Sequence, residues 1–305
     1  MAAAAGTGRA TDKIRIGYPP GMHGQLPVVM QRVGLDRVHG FEGEFITFPH
    51  GEPVIDALVA GEIDAAVLGY MAVADCASRA PDDMQIIAAL GMSRLSLVVP
   101  KASSAQVLHD LRGQRVGFAF HSAEQLEFFI AAKEEGLDAE RDFTLLNIPV
   151  AQLPLALSNG VADAIMIRQP QLLHVKEELG ARELRTRPMR FLSVMRRSCM
   201  RRHPGIAGRY QSALRASIYY TATHPEKASQ WFGEQSRIAR RLVRAVIAET
   251  PSYHVTRLDD VDLTLKPVER DELQSWFRHA FDLRLIRKAV TLDTLLPQPS
   301  QAAGW

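Results

Sequence analysis

"ALVAGEIDAAVLG", residues 57–69, returns about a hundred residues later as "ALSNGVADAIMIR", residues 156–168. Ala57, Leu58, Gly61, Asp64 and Ala65 recur as Ala156, Leu157, Gly160, Asp163 and Ala164. Each copy reads as a helix end, a glycine free to take the left-handed conformation that closes it, and a short apolar strand entered at an acid. The match extends upstream. Arg15, Gly17 and Tyr18 of "RIGYPP" (15–20) correspond to Arg115, Gly117 and Phe118 of "RVGFAF" (115–120), and "FITFP" (45–49) is paralleled by "FTLLNIP" (143–149). Three matches in one order, at a period too long for a solenoid, point to a pair of similar α/β lobes.

Around this repeat, short β-branched runs alternate with helical patterns, as mainly parallel sheets require. Strands are expected at 13–18, 44–48, 64–69 and 84–90 in the first copy. "GMSRLSLVVPKASS" (91–104) reads as a strand crossing to the second lobe, and "MRFLSVMRR" (189–197) as the return. The remainder is helical at 204–224, 225–235, 236–250 and about 267–281, with Pro225 at a first helical position and Ser236 as a cap. The expected division is therefore residues 13–95 plus 196–305 as one discontinuous lobe and 96–195 as the other, with 1–12 and 297–305 loose.

Composition narrows the function classes. The 305 residues are 47% hydrophobic, enough for a substantial core. A balance of 36 basic and 34 acidic residues leaves a net charge of +2, which argues against a nucleic-acid partner. Basic residues gather in "RRSCMRRHPGIAGR" (196–209), read as a solvated connector and helix start. Cys76 and Cys199 stand far apart, so neither a disulfide framework nor a zinc cluster is implied. No apolar run reaches the ~18–20 residues of a membrane helix. "MAAAAGTGRATDK" has no basic segment followed by an apolar core. The expectation is a cytoplasmic location for the chain as written, and a periplasmic one if it is a mature or truncated form.

The order "IRIGY … FITFPHGEPVIDALVAGEIDAAVLG … LSLVVPKAS … DLRGQRVGFAF … DAIMIRQP … THPEKA" resembles the substrate-binding proteins of alkanesulfonate, taurine and nitrate ABC transporters. Sulfinate desulfinases and yeast-type thiamine-pyrimidine synthases share that scaffold. The resemblance spans about residues 13–295 and implies a periplasmic-binding-protein fold of the second type. In that fold, two lobes joined by two crossings hold a small-molecule ligand in the cleft between them. An ABC-transporter permease is the partner this implies. Open α/β sheets bind ligands beyond the carboxyl ends of their strands, where loops leading into helices present free N–H groups.

Strand ends therefore name the candidate ligand-binding residues. After the first strand come Tyr18, His23, Gly24 and Gln25; after the second, Phe48 and His50; after the third, Gly69 and Tyr70; on the crossings, Ser93 and Ser193. From the second copy come Phe120, His121, Ser122 and Glu124, then Arg168 and Gln169. Tyr18, Phe48, Tyr70 and Phe120 would form apolar walls. Arg168 would hold a carboxylate or sulfonate, or else point outward to a surface acid. The resembling transporters carry an aromatic and an acid before the proline here, so Arg168 and Gln169 suggest an altered ligand.

His23, His50 and His121, at separate strand ends, admit three readings: hydrogen bonding to an anion or loop carbonyl, general acid/base catalysis, or a three-histidine metal site. Neither a metal nor an organic cofactor is expected. Two functions follow. The first is a binding protein for a small organic anion. The second is an enzyme on the same scaffold, a lyase, decarboxylase, desulfinase-like or pyrimidine-biosynthesis-like catalyst, acting on a small aromatic or heterocyclic acid with His23, His50 and His121 as proton carriers. The desulfinase-type cysteine in the first loop is missing from "YPPGMHGQ" (18–25). Asp64 and Asp163 lie at the far ends of their strands and are expected to bond the glycine turns beside them.

Overall fold

The repeated acids set the strand order at each end of the sheet. Asp64 accepts from the backbone N–H of Arg15 (3.0 Å) and from its guanidinium (3.0 and 3.1 Å). Asp163 does the same to Arg115, at 2.9, 2.9 and 2.8 Å. The acids thus bond the repeated arginine across the sheet rather than the glycine turn; Gly61 contributes its carbonyl to the same Arg15 guanidinium at 2.9 Å. Backbone bonds repeat too: Phe48 N–H to the Tyr18 carbonyl and Ile148 N–H to that of Phe118 are both 3.0 Å. Gly61 (φ 80°) and Gly160 (φ 66°) take the left-handed conformation expected of a helix terminator.

This computed structural model describes residues 11–49 and 51–297; His50 and the segments 1–10 and 298–305 lie outside the described residues. The strands are β1 (Asp12–Tyr18), β2 (Phe41–Thr47), β3 (Ala65–Gly69), β4 (Met84–Val99), β5 (Arg115–Phe118), β6 (Thr144–Asn147), β7 (Ala164–Arg168) and β8 (Arg182–Arg196). They form one ladder in the order β2-β1-β3-β8-β4-β7-β5-β6. The sets β1–β3 and β5–β7 are each parallel. β4 and β8 run antiparallel to one another along their whole length, β8 also pairing with β3 and β4 with β7. The two α/β halves are therefore related by exchanging the roles of the crossing strands, and the crossings hydrogen-bond both halves into a single eight-stranded sheet.

Both crossings are longer than the sequence reading. Residues 84–90 and 91–99 are one strand of 16 residues. Gly91 at φ 110° does not end it, and register shifts on either side mark bulges that bend it. The return strand begins at Arg182 rather than 189. Asp12, expected in a loose terminus, opens β1 and bonds His203 Nδ1 at 2.9 Å and the Arg209 guanidinium.

Helices follow as α1 (Gln25–Val33), α2 (Leu35–Val38), α3 (Gly51–Ala60), α4 (Tyr70–Arg79), α5 (Ala123–Glu134), α6 (Leu153–Ser158) and α7 (Gln171–Leu179). The C-terminal part supplies α8 (Arg197–Arg202), α9 (Ile206–Thr223), α10 (Pro225–Ser236), α11 (Arg240–Glu249) and α12 (Pro267–Asp282). Pro225 does open α10, but Ser236 is that helix's last residue and bonds the Phe232 carbonyl at 2.6 Å. Arg237 in the left-handed conformation then separates it from α11. The basic run 196–209 is an ion-paired strap: Arg196 bonds Asp83, Arg202 bonds Asp64 and Arg209 bonds Asp12.

Packing explains how the halves meet. One apolar cluster runs from Ile14 and Ile16 through Tyr70 to Phe118, Phe128 and Trp276, so it spans both halves. A smaller cluster of Val98, Ile148, Leu153, Ile167 and Leu172 covers the other face of the second half. Every residue of α5 from Ala123 to Ala132 is buried, acids included, because this helix lies between its own sheet and helices α4 and α12.

Candidate functional site

The carboxyl ends of β1, β3, β5 and β7 and the middle of β4 bring polar side chains out of solvent. Past β1, a tight turn at Met22–Gly24 leads into α1. Glycine is required at 24, where a Cβ would sit 2.3 Å from the Pro19 carbonyl oxygen. His23 is 5% exposed, its ring stacked on Phe191 with centroids 4.5 Å apart. Among the described residues its Nδ1 has no partner. Burial, with the Arg168 charge, pushes its pKa down to about 3, so the imidazole is neutral near pH 7 and a poor proton carrier there. Gln25 is completely buried, and neither amide atom has a partner. Tyr18 is buried as well, which pushes its phenol up to about 12.

The end of β3 gives Gly69 in extended conformation, then Tyr70 at the start of α4. A Cβ on Gly69 would meet the Met189 methyl at 2.6 Å. Tyr70 is fully buried and stacks on Trp276 at 4.2 Å. Its hydroxyl donates to Glu127 Oε1 at 2.6 Å. Arg187 Nε donates to the other oxygen of Glu127 at 2.7 Å. Burial first, and the Glu127 carboxylate next, hold the Tyr70 phenol well above its ordinary range.

From the second half, Ser122 is engaged as the cap of α5, accepting from Gln125 N–H at 3.4 Å and donating to the Ala119 carbonyl at 2.5 Å. Phe120 is about one-third exposed and its N–H donates to Asn147 Oδ1 at 3.0 Å. His121 takes a positive φ of 56° and is exposed, its N–H bonded to Gln125 Oε1 at 2.7 Å. Glu124 is wholly buried; Oε1 accepts from the Arg168 guanidinium, while Oε2 has no partner. Arg168, with a side chain 19% exposed, therefore pairs with a buried acid rather than a surface one. Gln169 donates to Glu249 at 3.3 Å, and its Oε1 is unpartnered.

On the crossings, Ser93 Oγ and Arg94 Nε are buried without partners. Ser193 turns away into the core, where its hydroxyl meets the Ala66 carbonyl and Tyr210 Oη, each at 3.2 Å. Phe48 is half-buried beside Gly17, and His50 falls outside the described residues. A cavity of about 20 Å³ lies among Met22, His23, Ser93, Phe191, Ser252 and Tyr253, room for roughly one water molecule. Among the described residues, no group of three or more His, Cys, Asp or Glu side chains could hold a metal ion. Cys76 is buried, which pushes its thiol far up.

The structure thus places His23, Gln25, Glu124 and Gln169 in buried positions, and Ser93 and Arg168 in part-buried ones, around the strand ends and the crossing. It assigns Tyr70 and Ser122 to internal bonds and Ser193 to the core. Sequence reasoning passed over Glu127, Arg187 and Phe191. A usable signal was present for Glu127: Glu124 and Glu127 lie three apart, hence on one face, in "AEQLEFFIAA", where Gln125 is the one other polar residue.

Solved structures with this architecture include the periplasmic aliphatic sulphonate binding protein SsuA from Escherichia coli, 17% identical with a TM-score of 0.78 over 95% of this chain and 93% of that one. The alkanesulfonate-binding protein SsuA from Xanthomonas axonopodis pv. citri, bound to MOPS, is 18% identical with a TM-score of 0.74, covering 93% and 98%. A mutant of DszB in complex with biphenyl-2-sulfinic acid is 13% identical with a TM-score of 0.68, covering 96% and 99%. These likenesses establish the periplasmic binding protein fold. Comparison with curated protein sequences gives no match. The profile of the NMT1-like family matches residues 8–233, and the chain belongs to that family.

Proposed function

We propose that this chain is a solute-binding protein. The lobes 13–95 plus 196–305 and 96–195 close on a small organic solute bearing a carboxylate or sulfonate, with Arg168 facing that acidic group and the partner an ABC-transporter permease. The observation that carries this reading is the run of buried polar atoms at the strand ends and crossing that have no partner among the described residues: His23 Nδ1, the Gln25 amide, Ser93 Oγ, Glu124 Oε2 and Gln169 Oε1. An unmet buried polar group costs about 1–3 kcal/mol, so such a set is expected where a ligand or bound water completes it. The fold shared with sulfonate binders is consistent with this reading. Among the described residues, no helix is long and apolar enough to cross a membrane, so the reading assigns the membrane passage to the separate permease.

Calorimetric titration with propionate, ethanesulfonate and MOPS tests the proposal. At least one should bind, and Arg168→Gln should weaken it about tenfold or more. Absence of heat and of any melting-temperature shift with all three, and with a wider set of carboxylates and sulfonates, would refute it.

A further inference from the structure

The charges at the strand ends are matched before any solute enters. Arg168 is bonded to Glu124 and Arg187 to Glu127, both acids having 0% exposure. A solute with only a negative group would have to share Arg168 with Glu124 and would leave an unbalanced buried charge, an expensive arrangement in a low-dielectric site. Glu124 also has capacity to spare. It sits in the first turn of the 12-residue helix α5, where the helix dipole favours a carboxylate. Among the described residues its Oε2 is buried without a donor although Oε1 is paired. A carboxylate oxygen only accepts hydrogen bonds, so what completes it must be a donor.

We infer, resting on the solute-binding reading above, that Glu124 is a specificity-determining residue whose free oxygen takes a donor nitrogen of the solute. The solute class is then an aminated acid without net charge rather than a bare organic anion. Its acidic group lies toward Arg168 and its amino group toward Glu124 Oε2, so the pair is extended into a four-charge alternation with no uncompensated member.

Matched probes that differ by one amino group test this by calorimetry and thermal shift: propionate against 3-aminopropionate, ethanesulfonate against 2-aminoethanesulfonate, and benzoate against 4-(aminomethyl)benzoate. The aminated member of at least one pair should bind about tenfold or more tightly. That preference should fall to within about threefold in Glu124→Gln. Glu124→Gln combined with Arg168→Gln removes both charges of the pair, guards against misfolding of the single variant, and should show the same loss of preference. Cooperative thermal unfolding qualifies each variant. Equal or tighter binding of the unaminated probes, or a preference that survives in Glu124→Gln, overturns the inference while leaving solute binding intact. Silence of every probe overturns both.

Discussion

Replacing Tyr70 by Phe isolates one hydrogen bond at the contact between the two halves. Tyr70 begins α4 and Glu127 lies on α5, and both are completely buried. Phenylalanine keeps the ring, its burial and its stack on Trp276, whose planes are 21° apart. Only the 2.6 Å bond to Glu127 Oε1 is lost. A hydrogen bond to a charged group is worth about 1.5–3 kcal/mol. Arg187 still pairs with Glu127, so the carboxylate is not orphaned and the loss should be about 2 kcal/mol. For a chain of this size that is a fall of roughly 3 °C in Tm.

Glu127→Gln should cost more, about 3 kcal/mol, because Arg187, with a side chain 23% exposed, loses its buried charged partner and keeps only the part-exposed Glu134 at 3.3 Å. The double variant should show a coupling of about 1–2 kcal/mol, since the residues share the deleted bond. Urea unfolding followed by tryptophan fluorescence measures all three, and Trp276 stacked on Tyr70 gives the signal locally. A Tyr70→Phe loss under about 0.5 kcal/mol, together with zero coupling, would show that the bond does not hold the halves together.

Three further outcomes follow from the same geometry. Burial raises the pKa of Asp64, but the Arg15 side chain and N–H outweigh it and the net shift is downward. Its contribution is therefore present above the unfolded value near 3.8 and lost as pH falls below it; Asp64→Asn should flatten acid denaturation in that range and destabilise more than Asp163→Asn, whose side chain is 30% exposed. His23, pushed down to about 3 chiefly by burial, binds fewer protons folded than unfolded between pH 6.5 and 3. Stability should accordingly fall on acidification through that window by up to about 1.4 kcal/mol per pH unit from this group, and His23→Phe should remove that slope in urea titrations. Gly160→Ala should cost about 1–2 kcal/mol from its positive φ alone, with nothing within 4 Å of the new methyl. Gly61→Ala should cost more, since its Cβ would lie 2.2 Å from the Arg196 guanidinium that holds Asp83; thermal unfolding ranks the two.

How far the sequence reached is a matter of which interactions repeat. Arg15, Gly17, Gly61 and Asp64 recur as Arg115, Gly117, Gly160 and Asp163, because each copy must join the same strands and close the same helix. Those requirements are local, or recur at fixed spacing, so they leave a pattern. The crossings belong to neither copy. Gly91 reads as a strand end, yet a bulge lets β4 bend through it, and the polar stretch from Arg182 to Pro188 conceals the start of β8. Strand ends did name Glu124 and Arg168 as separate candidates, but nothing within either segment says that they bond one another 44 positions apart. That pairing changes what the guanidinium can do. An arginine with a free face selects an anion by charge alone, whereas one already bonded to a buried acid selects by the geometry of both partners. On the proposed solute-binding reading, substituting Arg168 while leaving Glu124 in place should therefore disturb ligand choice as well as affinity.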